Sequence, residues 1–192
     1  MKSLLIIGGA RSGKSHFAQE LALKSGKPVL FVATAEAGDE EMKQRIEAHR
    51  RTRPASWRTL EATTNIGSEI AKKIGGAQVV IVDCITLLVS NILGQYTDQV
   101  DENFDASLIE KKVINEISEM VECINHTDAS FIIVTNDVGM GLVPANKIGR
   151  LYRDLLGRAN QLLAERVDEV CLMVAGLPVK IKPTKPRGDQ DI

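Results

Sequence analysis

Gly8-x-x-x-x-Gly13-Lys14-Ser15, written GGARSGKS, has the spacing of a phosphate cradle. Without a Cβ, glycines let successive backbone N–H groups turn inward on an anion. The backbone of Gly8, Gly9, Ala10, Arg11, Ser12 and Gly13 is the candidate wrap. Lys14 is then set to reach a β- or γ-phosphate, and the Ser15 hydroxyl to bind Mg²⁺. The competing reading is a Gly-rich turn with a solvated lysine. It would need neither the apolar run Leu4 to Ile7 before the motif nor the helical pattern after it. Asp83 closes a second apolar run, Val79-Val80-Ile81-Val82, and is the other candidate for Mg²⁺, directly or through water. The alternative is a strand-end acid that caps the next element, since Thr86 and Ser90 lie nearby.

A second concentration of reactive groups is MKQRIEAHRRTRPASWRTLE, Met42 to Glu61. It holds His49, one of 3 histidines in the chain, together with Arg45, Arg50, Arg51, Arg53 and Arg58. Met42, Ile46 and His49 share one helix face, and Arg53 joins them if the helix lasts that far. Periodicity alone fits a half-buried histidine in a small apolar stripe. Two features argue for chemistry. Guanidinium forks match the oxygens of a polyphosphate, although Glu47 and Glu61 can instead screen a solvated arginine face. A neutral imidazole beside phosphate can attack phosphorus and form a phosphoramidate. Trp57 either stacks on a flat ring or anchors the segment after Pro54 to the core, the simpler reading. His16 and His126 are assigned no chemistry.

These groups need a frame that gathers them. Short apolar runs (Leu4–Ile7, KPVLFVATA, AQVVIVDCIT, SFIIVTND, DEVCLMVAG, LPVKIK) alternate with helical patterns. That alternation predicts an α/β fold of P-loop type, with a mostly parallel sheet between helices and C-terminal strands that can run antiparallel. Helices are expected from Ser15 to Gly26, over GDEEMKQRIEAHRR, from Ala62 to Ile74, near Leu87 to Leu93, from Asp105 to Ile124 and around Ile148 to Leu162. No linker divides the chain, so residues 1–182 are expected to form a single catalytic domain and 183–192 a loose tail. A formal net charge of −1 argues against a nucleic-acid partner. The 3 cysteines are widely spaced, without metal-ligand spacing or an even count for a disulfide framework. With no apolar run long enough for a signal sequence or a membrane span, a reducing cytoplasm is the expected home. The motif leaves the second substrate open, and nothing reads as a guanine signature beyond a weak echo in Thr135-Asn136-Asp137.

GGARSGKS, FVATAEAGDEEMKQRIEAHRRTRPASWRTLE, VDCITLLVSN, IIVTNDVGMGLVP and VAGLPVKIK, in that order across residues 3 to 182, closely resemble the bifunctional adenosylcobinamide kinase/adenosylcobinamide-phosphate guanylyltransferase family. The resemblance implies two reactions of cobalamin biosynthesis. ATP or GTP phosphorylates the hydroxyl of adenosylcobinamide; GTP then donates GMP to the new phosphate, giving adenosylcobinamide-GDP and pyrophosphate. It implies that His49, in the block Arg45-Ile46-x-x-His49-Arg50, carries the guanylyl group covalently, and that Lys14 assists. Nucleotide contacts are expected from residues 8–15, Thr34, Arg50, Arg53, Glu61 and Asp83, with Mg²⁺ at Ser15 and Asp83. A cytosolic homo-oligomer, typically a trimer, is implied too. Asp137 matches a position where relatives carry glutamate, which leaves a metal, base or arginine contact open. Thr135 is expected at the ligand-facing edge. Gly139 and Gly141 either admit a large ligand or only permit turns, and Asn160 is a candidate for corrinoid or subunit contact. The rival readings are one activity without the other, a kinase for another metabolite, or a nucleotide-dependent regulatory module.

Overall fold

The computed structural model describes residues 2–36, 38, 40–97 and 104–182. The side chains of Glu41, Met42, Arg45 and His49 lie outside that description, as do the expected tail 183–192 and part of the polar stretch 94–105. The elements run β1 (Ser3–Gly8), α1 (Lys14–Ser25), β2 (Val29–Ala33), α2 (Glu40–Arg51), β3 (Arg58–Glu61), α3 (Ile66–Lys73) and β4 (Val79–Asp83). They continue α4 (Ile85–Gly94), α5 (Ala106–Asn125), β5 (Ser130–Asn136), α6 (Lys147–Arg166), β6 (Glu169–Val174) and β7 (Leu177–Lys182). The strands form one seven-stranded sheet in the order β3-β2-β4-β5-β1-β6-β7. All pairings are parallel except β6 with β7. The expected α/β architecture with antiparallel C-terminal strands is therefore the one observed.

The strands read as near-continuous apolar runs because both sheet faces are covered. Leu5, Leu30, Val32, Val80, Val82, Phe131 and Ile133 pack in one buried cluster with residues of α3, α4, α5 and α6. Leu4, Ile6, Phe31, Ile81, Ile132 and Val134 point into the other, where Ala18 and Ala22 of α1 close over them. The small alanines bring α1 near the sheet, so its first turn follows directly from the glycine loop. α1 ends where expected, at Gly26 in the left-handed region (φ 64°) with its N–H bonded to the Leu23 carbonyl.

One expectation about an element needs correction. The helix expected from Ala62 begins at Ile66, because the buried Glu116 of α5 accepts the N–H groups of Asn65 (2.8 Å) and Ile66 (2.7 Å). That cap comes from fifty residues away in the chain and leaves no local sign. Ahead of it, Arg58–Glu61 forms a short edge strand with only Leu60 buried, too little apolar pattern to announce itself. α2 stops at Arg51, where the expected span GDEEMKQRIEAHRR ends, and the chain turns with the Arg53 N–H on the Arg50 carbonyl; the helix does not last to Arg53, the condition on which it would have joined that face.

Candidate functional site

Parallel pairing gathers the candidate residues at one edge of the sheet. Ala33 is in register with both Asp83 and Glu61, and Gly8 with Asn136. The carboxyl ends of β3, β2, β4, β5 and β1 thus share the edge at which open α/β sheets bind ligands.

The glycine loop is held in shape by the far end of the chain. A Cβ on Gly8 would lie 2.5 Å from the Met173 carbonyl oxygen of β6. Gly13 adopts φ 93°, and a Cβ there would meet the Gly176 Cα at 3.3 Å. Gly176, in the β6–β7 turn, donates its N–H to the Ser12 carbonyl at 3.0 Å. The requirement for glycine at positions 8 and 13 therefore comes from close approach as well as conformation. Lys14 is buried, and its ammonium donates to the Gly9 carbonyl at 2.6 Å and lies 3.4 Å from the Ser12 hydroxyl. Burial lowers its pKa, while the fields of Cys84 and Asp83 act the other way.

The last turn of α2 and the segment after it lie over the same edge. Arg50 pairs with Glu61 at the end of β3. Arg53 lays its guanidinium over the Phe31 ring of β2, 3.8 Å from the centroid. Its Nε and Nη1 are buried and have no hydrogen-bond partner among the described residues. Burial lowers the Arg53 pKa, opposed by Asp83 and reinforced by Arg50. Trp57 packs against the cluster that contains Phe31, the anchoring role expected of it. With Arg50, Arg53 and Glu61 it also lines a cavity of about 670 Å³. His49 stands one residue before Arg50 in this turn, so its backbone belongs to this edge although its side chain is outside the description.

Asp83 connects the two regions. Its charge acts on Lys14 of the glycine loop and on Arg53 beyond α2, residues thirty-nine apart in sequence. Beside it, a set of satisfied polar groups fixes the strand ends. The Thr34 hydroxyl donates to the Cys84 carbonyl (2.7 Å) and accepts the Cys84 N–H (2.8 Å). Asn91 donates to the carbonyls of Thr34 and Thr63. Thr34 lies at the ligand-facing edge, but with its hydroxyl already committed it positions Cys84 and hence the strand end. Thr135 and Asn160, both buried, bond each other at 2.8 Å, and Asn160 also donates to the Asn136 carbonyl at 3.0 Å. Asn160 is thus a strut inside the fold, which corrects its reading as a corrinoid or subunit contact. Phe31 and Asn91 carry this architecture without any signal in the sequence, and so does the Thr86 hydroxyl in its observed role of accepting the Asn136 N–H at 2.8 Å, since a buried phenylalanine and helix-borne Thr or Asn look ordinary there.

The model of the family described as cobinamide kinase / cobinamide phosphate guanyltransferase matches residues 4–181. The chain belongs to that family. It is 41% identical over 180 residues to the bifunctional adenosylcobalamin biosynthesis protein CobU of Escherichia coli (strain K12), covering 93% of this chain and 99% of that one. It is 39% identical to the protein of the same name from Salmonella typhimurium, at 93% and 99% coverage, and 39% identical to CobP of Pseudomonas aeruginosa, at 93% and 96%. Among solved structures, the RadB recombinase aligns with a TM-score of 0.48 at 19% identity, covering 88% of this chain and 73% of that one. Within this member of the cobinamide kinase / guanyltransferase family, no group of three or more His, Cys, Asp or Glu that could hold a metal occurs among the described residues. No described helix is long and apolar enough to cross a membrane.

Proposed function

We propose that both group transfers are carried out from this one sheet edge, with the glycine loop holding the triphosphate and the end of α2 supplying the guanylyl carrier. As a member of the family, the chain is an adenosylcobinamide kinase and adenosylcobinamide-phosphate guanylyltransferase, with ATP or GTP as the phosphoryl donor and GTP as the source of GMP. The observation that carries the site assignment is Arg53. A half-buried guanidinium whose Nε and Nη1 are buried without a hydrogen-bond partner among the described residues, in the field of the same Asp83 whose charge reaches Lys14, is a cation arranged for an anion that binds there.

In the guanylyl transfer His49 attacks the α-phosphorus of GTP, and the bond to the departing pyrophosphate breaks. Lys14 and Arg53 offset the charge that builds on the leaving group. The phosphate of the corrinoid then displaces the histidine from the same phosphorus, forming adenosylcobinamide-GDP. Two displacements, each with a positioned nucleophile, replace one attack by a poor nucleophile. Ser15 and Asp83 are the proposed protein ligands of Mg²⁺. One hydroxyl and one carboxylate suit an ion that takes its other ligands from phosphate and water, and the negative field of Asp83 reaches Lys14 in the loop. Such an ion supplies charge neutralisation on the phosphates.

The assignment of Arg53 has its own test. Arg53→Met keeps an apolar stem over Phe31 and removes the guanidinium with its two unbonded nitrogens. The KM for GTP is expected to rise on the order of tenfold to a hundredfold, the scale of one lost charge-assisted contact to phosphate. The melting temperature should hold or rise, because a desolvated cation has been removed. An unchanged KM measured by steady-state kinetics would remove Arg53 from the nucleotide site. The function as a whole is tested by giving the pure protein, with Mg²⁺, either γ-labelled ATP and cobinamide or α-labelled GTP and cobinamide phosphate. Label should appear in the corrinoid product of each. If only the first reaction runs, the guanylyl carrier is wrongly assigned.

A homo-oligomer, and a trimer in particular, is part of the same proposal. On the edge strand β7, alternate residues Leu177, Val179 and Ile181 are 69%, 50% and 57% exposed, a run of apolar side chains that a second copy would cover. Sedimentation of the pure protein as a monomer would exclude it.

A further inference from the structure

We propose that Asp137 is the general base of the phosphoryl-transfer step and has no part in guanylyl transfer. The inference rests on the two-reaction function above and assigns a residue within it. The two acceptors differ in the proton they carry. In the kinase step an alcohol attacks the γ-phosphorus, and its hydroxyl proton must leave as the new bond forms. In the guanylyl step the acceptor is a phosphate, already anionic at neutral pH. Only the first reaction calls for a base.

The carboxylates at this sheet edge are unequally suited to that task. Glu61 is paired with Arg50. Asp83 lies in the field of both Lys14 and Arg53, a setting that suits a metal-facing anion rather than a proton acceptor. Asp137 stands elsewhere. It follows β5, the strand between β1 and β4, and so sits between the glycine loop and Asp83. Its backbone N–H donates to the Gly8 carbonyl at 3.1 Å, which fixes it to the first residue of the loop. Its Oδ1 accepts the Gly139 N–H at 2.9 Å, and this is the hydrogen bond its carboxylate makes among the described residues. One oxygen is thus oriented by the loop, and the side chain is half-buried.

The segment after Asp137 gives the side from which an acceptor arrives. Met140, Leu142 and Val143 are 81%, 95% and 66% exposed. This apolar lip next to a fixed carboxylate suits a large, partly apolar alcohol better than water or a second nucleotide. In the step, the acceptor oxygen forms its bond to the γ-phosphorus while its proton passes to the Asp137 carboxylate. The bond from the γ-phosphorus to the β,γ-bridging oxygen breaks, and the nucleoside diphosphate leaves with that electron pair. Asp137 then returns the proton to solvent.

The test compares the wild type, Asp137→Asn and Asp137→Glu in two assays on the full chain. One measures phosphorylation of cobinamide by γ-labelled ATP or GTP; the other, transfer of α-label from GTP to cobinamide phosphate. Asp137→Asn should lose kinase kcat on the order of a hundredfold to ten-thousandfold, the range for a general base, with little change in the KM for cobinamide. Its guanylyl transfer should stay near wild type, which also shows that the variant is folded. Asp137→Glu should recover much of the kinase rate. Equal loss of both reactions would make Asp137 structural, and full kinase activity in Asp137→Asn would remove it from the step; either overturns the proposal. A wild type that cannot phosphorylate cobinamide overturns the function itself and the base with it, and that outcome is separable because it needs no variant.

Discussion

His49→Ala is expected to abolish covalent labelling of the protein by α-labelled GTP and to lower guanylyl transfer by on the order of a thousandfold or more, the scale on which losing a covalent nucleophile acts. The physical reason is the loss of a positioned attacking group. Without the imidazole, the corrinoid phosphate must reach the α-phosphorus unaided, as one anion approaching another. Phosphorylation of cobinamide should continue near its wild-type rate, because in that step the acceptor hydroxyl attacks the γ-phosphorus directly. His49 lies in the last turn of α2, whose next residue, Arg50, holds the end of β3 through Glu61. The substitution leaves that anchor in place, so the effect reports on chemistry rather than on folding. The label on the wild type should be acid-labile and base-stable, as a phosphoramidate is. Label of that kind persisting on His49→Ala would sink the assignment.

Lys14→Ala is expected to cost both reactions, each by on the order of a hundredfold to a thousandfold in kcat. In the kinase step the ammonium offsets charge on the departing diphosphate; in guanylyl transfer it offsets charge on pyrophosphate. Its position explains why loss of stability should not accompany loss of rate. The ammonium is buried against the Gly9 carbonyl with a lowered pKa, so the folded chain carries a partly desolvated cation whose removal relieves a cost. The melting temperature should therefore stay level or rise while turnover collapses. A Lys14→Ala protein that keeps either reaction at wild-type kcat would show that this reaction uses another phosphate site. Lys14, His49 and Asp137 then form a set of three distinguishable phenotypes: both reactions lost, guanylyl transfer lost, phosphorylation lost.

Much of this chemistry can be read in the chain because its parts are local. Gly8 to Ser15 is one contiguous loop between a strand and a helix, and its backbone geometry follows from where the glycines stand. The alternation of apolar runs with helical patterns determined the α/β class, since side-chain periodicity needs only neighbours in sequence. The sequence also named His49, through its place among arginines and in a family block, where periodicity by itself favoured a half-buried core histidine. Other features were illegible for the opposite reason. That Arg53 lies over Phe31 with two unbonded nitrogens, and that the charge of Asp83 acts on it and on Lys14 together, depends on β2 and β4 being neighbours in the sheet. That Gly176 supports Ser12, and Glu116 starts α3, depends on contacts between residues far apart in the chain. Such pairings are selected by burial and strand order across the whole core, which no window of sequence contains. The sequence by itself determined the fold class and the candidate groups, because motif and periodicity are local; the tertiary structure decided which of them lie in the field of one carboxylate, which are struts, and that Asp137 stands beside the glycine loop, because those placements depend on strand order across the whole sheet.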